Sequence, residues 1–398
     1  MKQLIEKILA DTAYTRYGGS KEEHACAQYI CDLVGGRMES FSLPVDTVQA
    51  ARVIADGREI PCRAYRNTGC GKVRAPLFYM PYADAASLEK CKGAVVLVDG
   101  AIGPQTYRRL VEHGAVGVLA YYGDVRLPHR DIDDREVRKL TAEEPRIPAL
   151  MIHAEDAVAL VANRCREVEL ILDQKREEGT SYNVLLDLPG ERDEWVVFSA
   201  HYDSTRLSHG AYDNMSGCIA LVRMAKELAS VSRRFGVRFL WCGAEERGLL
   251  GSAAYCEAHR EESAKWLLNI NLDMLGSVMG NFVGFSCADE KTLHYLTSFA
   301  AEKGYSMEGR LGIRSSDSNC FADIGVPAVS FARYAPSTTA AIHERYDVAS
   351  MVDAERLEAD TLFIEALTRR LITSERFPLD RVICAKVQED IDRYFKRK

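Results

Sequence analysis

The stretch Trp195-Val196-Val197-Phe198-Ser199-Ala200, followed at once by His201-Tyr202-Asp203, decides the fold. Six nearly continuous apolar residues read as a strand buried on both faces, the kind that fills the middle of a parallel sheet. Outward from it the pattern alternates. A helix is expected over 216–229, a strand over 237–242, a helix over 251–259 and a strand over 266–272, with a further strand at 182–186 on the upstream side. Strands at 282–286 and 328–331 and helices at 290–303 and 354–372 continue the series. Such β-α-β alternation implies an α/β fold with a mostly parallel, mixed central sheet and helices on both faces.

Upstream, Leu4, Ile5, Ile8 and Leu9 recur at helical spacing, and Ala25, Ala27, Ile30 and Leu33 line one face of a helix over 20–34 that Gly35-Gly36 stops. From about residue 50 the character changes. Short strands at 94–98, 116–121 and 149–152 surround a helix at 106–113, which reads as a smaller inserted, β-rich α/β domain over 50–179. The charged stretch 131–146 reads as a solvated loop and 174–179 as a polar linker out of the insert. The main domain is then 1–49 with 180–398, its last part, 373–398, being a helical extension. In that tail Val387, Ile391 and Phe395 stand four apart, an apolar edge for docking on the main domain or on a second copy in a homo-oligomer.

Composition narrows the function. With 47% apolar content over 398 residues the chain can bury a large core. Its 51 basic and 58 acidic residues are interspersed and sum to −7, without the basic stripe that a nucleic-acid backbone requires. Glu6, Lys7 and Asp11 interrupt the first apolar stretch short of a signal-peptide core, and no apolar run reaches the roughly 20 residues of a membrane span. A soluble, cytoplasmic protein is expected. The twelve cysteines are scattered without a CxxC pair, so reduced, buried thiols are expected, and any metal should rest on histidine and carboxylates.

In open α/β sheets the functional site lies beyond the carboxyl ends of the strands. His201 and Asp203 follow the first buried strand, Glu245-Glu246 follow the strand ending at Cys242, and Asp273 follows Leu272. His201 and Asp203, two apart in extended chain, share a side, so the carboxylate is placed to receive the second N–H of a metal-bound imidazole; a surface turn is the other reading. Asp213, ahead of an apolar helix, is by itself also a helix cap. Two adjacent acids repel unless cations hold them, and the company of His201, Asp213 and Asp273 points to a site neutralised by divalent metal.

Five separated blocks, HYD at 201–203, GAYDNMSG around Asp213, AEERGLLGS around Glu245 and Glu246, NLDMLG around Asp273, and HERYD beginning at His343, together resemble the two-zinc exopeptidases of metallopeptidase clan MH. That group includes bacterial leucyl aminopeptidase, aminopeptidase Y and glutamate carboxypeptidase, and the resemblance covers 183 to about 372 and the first two helices. It implies two zinc ions per chain, one held by His201, Asp213 and Asp273 and the other by Asp213, Glu246 and His343. It further implies Glu245 as general base, Asp203 orienting His201, Asp347 supporting the His343 end, and a cis peptide after Asp213. Charge counting agrees, since two zinc ions exceed the three ligand carboxylates by one, which a bridging hydroxide supplies. KGAVVLVDG, HGAVGVLAYY and IPALMIH resemble the protease-associated (PA) insert of such enzymes; His113, His129 and His153 share no ligand spacing there and read as structural or surface residues. The insert is expected to cover the site mouth or limit substrate size.

The resemblance favours an aminopeptidase acting on peptides. A carboxypeptidase would need a cationic recess, for which Arg310, Arg314, Arg333 and Arg345 are candidates. A glutaminyl cyclase using one zinc is a further alternative, against which Asn214 speaks, and a third is a binding protein that has lost its ligands. The loop 315–321 resembles a stretch near the substrate pocket, and Cys320 within it reads as buried. His209, His259 and His294 read as surface residues.

Overall fold

A computed structural model describes residues 2–81, 84–100, 102–337 and 339–395. The chain divides into two compact units, Met1–Leu43 with Thr180–Lys398, and Pro44–Gly179. In the larger unit seven strands follow the order Glu308–Leu311, Asn281–Cys287, Ala328–Tyr334, Trp266–Leu272, Arg192–His201, Phe235–Cys242 and the second half of Glu167–Leu188. The four strands from Ala328–Tyr334 to Phe235–Cys242 are mutually parallel, whereas both Asn281–Cys287 and Glu167–Leu188 join this block antiparallel. The sheet is thus mixed with a parallel middle, as the apolar runs predict.

Register aligns the strand ends. Cys242 pairs with His201 and Leu272 with Phe331, so the residues that follow emerge along one edge. Beneath that edge the core is dense: Val196, Phe198 and Ala200 of the central strand, Ile219 and Val222 of the helix Ser216–Ala229, and Leu367 and Leu371 of the helix Ala354–Thr373 are all buried together. The first helices are Lys2–Asp11 and Lys21–Val34; Ser20 caps the second by accepting from Glu23 N, and Gly35 closes it in the left-handed conformation that glycine allows. The tail helix Ala385–Tyr394 buries Val387 and Ile391 against Val283, Phe285 and Ala328 of its own unit, so its apolar edge is occupied within the chain. Lys396 to Lys398 of the expected extension lie outside the described residues.

The second unit has a sheet in which Gly71–Met80, Val95–Asp99, Gly117–Tyr122 and Ala149–His153 run parallel, with Cys62–Ala64 antiparallel at the end and the first half of Glu167–Leu188 antiparallel beside Gly71–Met80. Two expectations fail here. Residues 174–179 are no linker but the middle of the continuous strand Glu167–Leu188, with Lys175, Glu177 and Glu178 exposed and Arg176 half-buried against Asp46 and Glu136. The stretch 131–146 is irregular, yet Ile132, Asp133 and Val137 are buried and Asp134 pairs with Arg66 at 2.8 Å, so it is packed rather than solvated. The strand Arg37–Ala55 spans the change of unit at Pro44, ahead of the compositional change at residue 50. All twelve cysteines are unpaired. Among the described residues no helix is long and apolar enough to cross a membrane.

Phe198 is wholly buried in the central strand and stacks on Phe239 with ring centroids 5.3 Å apart. Phe198→Ala is expected to lower unfolding free energy by about 3–5 kcal/mol in urea titration, whereas Val158→Ala, on the exposed face of Ala154–Ala162, should change it by less than about 0.5 kcal/mol.

Candidate metal centre

Six of the seven site residues read from the sequence lie beyond the ends of the parallel strands, and His343 joins them from a later loop. His201 Nε2 lies 3.1 Å from Asp213 Oδ1 and 3.6 Å from Asp273 Oδ1. His343 Nε2 lies 3.2 Å from Asp213 Oδ2 and 3.0 Å from Glu246 Oε2. The ligand atoms of each trio, His201–Asp213–Asp273 and Asp213–Glu246–His343, fall within 4.8 Å of one another. Asp213 belongs to both, one oxygen facing each histidine.

The surrounding structure aims these groups. Asp203, fully buried, stands 3.4 Å from His201 Nδ1 and also accepts from the main-chain N–H of Glu245 (2.9 Å) and of Glu246 (3.1 Å). One carboxylate thus holds the turn that carries the acidic pair. Asp347 does the equivalent for Asp213, accepting from Tyr212 N at 2.7 Å and Asp213 N at 3.1 Å, so its recorded hold is on the Asp213 main chain. The Asp213–Asn214 peptide is cis. Asn214 donates to Leu272 O and accepts from Gly217 N and Met274 N, tying the Asp213 loop to the strand end that delivers Asp273. Gly217 permits this approach, for a Cβ there would stand 2.4 Å from Leu272 O. Ala244, Met274 and His343 all have φ near +60°, a left-handed backbone that costs about 1–3 kcal/mol per non-glycine residue and here accompanies a ligand or its neighbour.

The sequence did not single out the roles of Arg314, Ser316, Glu23 or Arg16. Arg314 donates to Asp273 O and lies 3.2 Å from Asp273 Oδ2, and Ser316 donates to the same Oδ2 at 2.7 Å while accepting from Asn271. The 315–321 stretch therefore supports Asp273 and then forms the helix Ser318–Asp323, with Cys320 buried. Glu23 is buried, and its carboxylate accepts from Gly19 N, Ser181 Oγ and Ala244 N, bracing the turn before Glu245. Of the histidines read as surface residues, His259 is half-buried between Glu39 and Glu262. In the second unit His153 is buried and caps the helix Ala154–Ala162.

The electrostatics call for cations. Burial opposes charge on His201, yet Glu245, Asp203, Asp213 and Asp273 together lift its proton affinity well above the usual imidazole range. His343 is pushed up to about 11, burial being outweighed by Glu246 and Asp213. Burial and the neighbouring acids Glu246, Asp317 and Asp273 raise Glu245 well above the carboxylate range, with His201 opposing. Asp213 is drawn below its ordinary value by the two histidines in spite of burial. The bare cluster thus gathers protons onto its imidazoles, the positions that a divalent ion would take. Asp273 Oδ1 is buried and accepts no hydrogen bond, an acceptor suited to metal. Mixed imidazole and carboxylate donors fit zinc.

The larger unit thus combines a mixed α/β sheet with two histidine–carboxylate trios joined through one aspartate. Residues 183–367 match the model of peptidase family M28. Aminopeptidase YwaD of Bacillus subtilis is 30% identical over 251 residues, 60% of this chain and 54% of that protein. An aminopeptidase of Pseudomonas aeruginosa is 33% identical over 177 residues, 43% of this chain and 32% of its own length. The chain spans about half or less of the curated relatives it matches. BSAP, a zinc aminopeptidase from Bacillus subtilis, shares the fold with a TM-score of 0.80 at 23% identity, over 97% of both chains. An aminopeptidase from Aneurinibacillus sp. strain AM-1 does so at 0.76 and 20% identity, over 95% of this chain and 96% of that one.

Glu23 gives a pH test. Burial and the charge of Asp203 push its carboxyl up to about 8, above the ordinary 4.5 that it regains on unfolding. The folded chain therefore holds this proton more tightly, and the associated stability, complete below pH 4.5, is lost as pH rises through 8. Glu23→Gln is expected to remove a slope of up to about 1.4 kcal/mol per pH unit from that window, measured by urea unfolding across the range.

Proposed function

We propose that this chain is a zinc-dependent aminopeptidase that hydrolyses the N-terminal residue of peptides, with two zinc ions per chain and Glu245 as the general base. The observation that carries the reading is the pair of trios sharing Asp213, with the non-ligand carboxylate Glu245 beside them. In this reading His201, Asp213 and Asp273 hold one ion and Asp213, Glu246 and His343 the other. Bound zinc polarises a carbonyl and lowers the pKa of water. Glu245 takes the proton of the attacking water and passes it to the departing amine. Asp203 fixes the imidazole of His201 and, through the Glu245 N–H, the main chain of the base itself.

The positions of the arginines favour an amine over a carboxylate end. Arg314 is committed to Asp273, Arg333 is bound in two-pronged fashion to Asp360, and Arg310 pairs with Glu308. A carboxypeptidase recess would have to break one of these pairs. Asn214, the residue that follows Asp213, matches the hydrolase pattern rather than that of the one-zinc cyclase. The unit Pro44–Gly179 is read as a PA-like insert.

Glu245→Gln is expected to retain zinc, measured by elemental analysis, and to lower kcat by about 10²–10⁴-fold; turnover at the wild-type rate would refute the role. Peptides with a free N-terminus should be cleaved and their acetylated forms left intact. Cleavage of only the blocked peptide would sink the aminopeptidase reading, and a single tightly bound zinc would favour the cyclase.

A further inference from the structure

We propose that Arg16 is a positioning residue of the metal centre: its guanidinium sets the loop that joins His201 to Asp213. The inference rests on reading the two trios as metal sites, and the residue itself lies outside the segment that matches the family. Arg16 is fully buried and has no acidic partner among its recorded hydrogen bonds. Its Nε donates to Tyr202 O at 2.7 Å, Nη1 to His209 O at 2.6 Å, and Nη2 to Gly210 O at 3.1 Å. Nη1 also donates to Thr12 O and Tyr14 O in its own segment. The Arg16 main chain adds two further bonds to the loop, N–H to Ser204 Oγ at 2.9 Å and carbonyl to Ser204 N at 3.1 Å.

All the long-range partners are therefore in residues 202–210, a stretch without regular structure whose two ends lead to His201 and Asp213. Hydrogen bonds inside the loop join Ser204, Thr205, Ser208 and Gly210, while the Arg16 guanidinium holds its two ends, Tyr202 and His209–Gly210, and a planar fork with five donors can fix them where a flexible ammonium cannot. Gly210 marks the tightest point. Its φ is +55°, and a Cβ there would stand 2.6 Å from Asp213 O, 2.8 Å from Ser204 Cβ and 3.0 Å from Arg16 Nη2. The guanidinium, the loop and the main chain of the shared aspartate thus meet at one place. Displacing Arg16 shifts His201 and Asp213 relative to each other, and these are two of the three ligands in one trio.

The test is zinc affinity of the metal-stripped full chain, measured by competition with a coloured chelator, for wild type and Arg16→Lys. At least tenfold weaker binding is expected in the variant, as for loss of groups that orient ligands, together with a smaller rise in Tm on adding zinc. A merely structural role would lower the Tm of stripped and loaded protein alike and leave zinc affinity unchanged, which would overturn the proposal. A wild-type chain that takes up no zinc would instead overturn the metal-centre reading. If Arg16→Lys does not fold, Ser204→Ala, which deletes the oxygen that accepts the Arg16 N–H, replaces it. Several-fold weaker zinc binding is then expected, and wild-type affinity overturns the inference.

Discussion

Carboxylates buried at the ends of a parallel sheet are the constraint on which the rest of this structure depends. Asp203, Asp213, Asp273 and Asp347 are all nearly or fully out of water, and an ionised carboxyl is costly there unless its oxygens are satisfied. Each meets the demand differently. Asp203 and Asp347 take pairs of main-chain N–H groups, Asp273 takes Arg314 and Ser316, and Asp213 faces two imidazoles. The folding of each loop is in this way tied to the charge of an acid delivered by another loop.

The arrangement links packing to chemistry. Because the Asp203 carboxylate touches both His201 and the peptide groups of Glu245 and Glu246, the positions of one trio's imidazole and of the acidic pair are set by one side chain. Asp213 joins the trios, and Asn214 fastens the same segment to the strand end beside Asp273. The polar residues Ser199, Asn271 and Ser330 extend this order into the sheet, where Asn271 bonds both Ser316 and Ser330. Rigidity of this kind suits a site whose ligands must lie within fractions of an ångström of a common point.

Much of this was legible in the sequence because it follows from local pattern. The apolar run 195–200 and its partners at 237–242 and 266–272 identify the parallel strands, and polar residues immediately after them identify the edge. What the sequence concealed was of two kinds. Long strands with irregular exposure, Arg37–Ala55 and Glu167–Leu188, carry charged residues on faces that solvent reaches, so residues 174–179 mimic a linker. Residues acting on backbone across long separations leave no spacing signal: Arg16 grips a loop 186 to 194 residues away, and Glu23 a turn 221 residues away. An arginine or a glutamate in an N-terminal segment has no periodicity from which such a reach could be read.

The placement of these two residues bears on where the protein can be cut. Both trios and Glu245 fall within the segment 183–367, which looks self-sufficient when judged by motifs. A trimmed gene starting there would encode both trios yet leave the carbonyls of Tyr202 and His209 and the N–H of Ala244 without the side chains that bond them. The hydrogen-bonded frame of the two trios is therefore discontinuous in sequence, with Arg16 and Glu23 of the opening segment built into it.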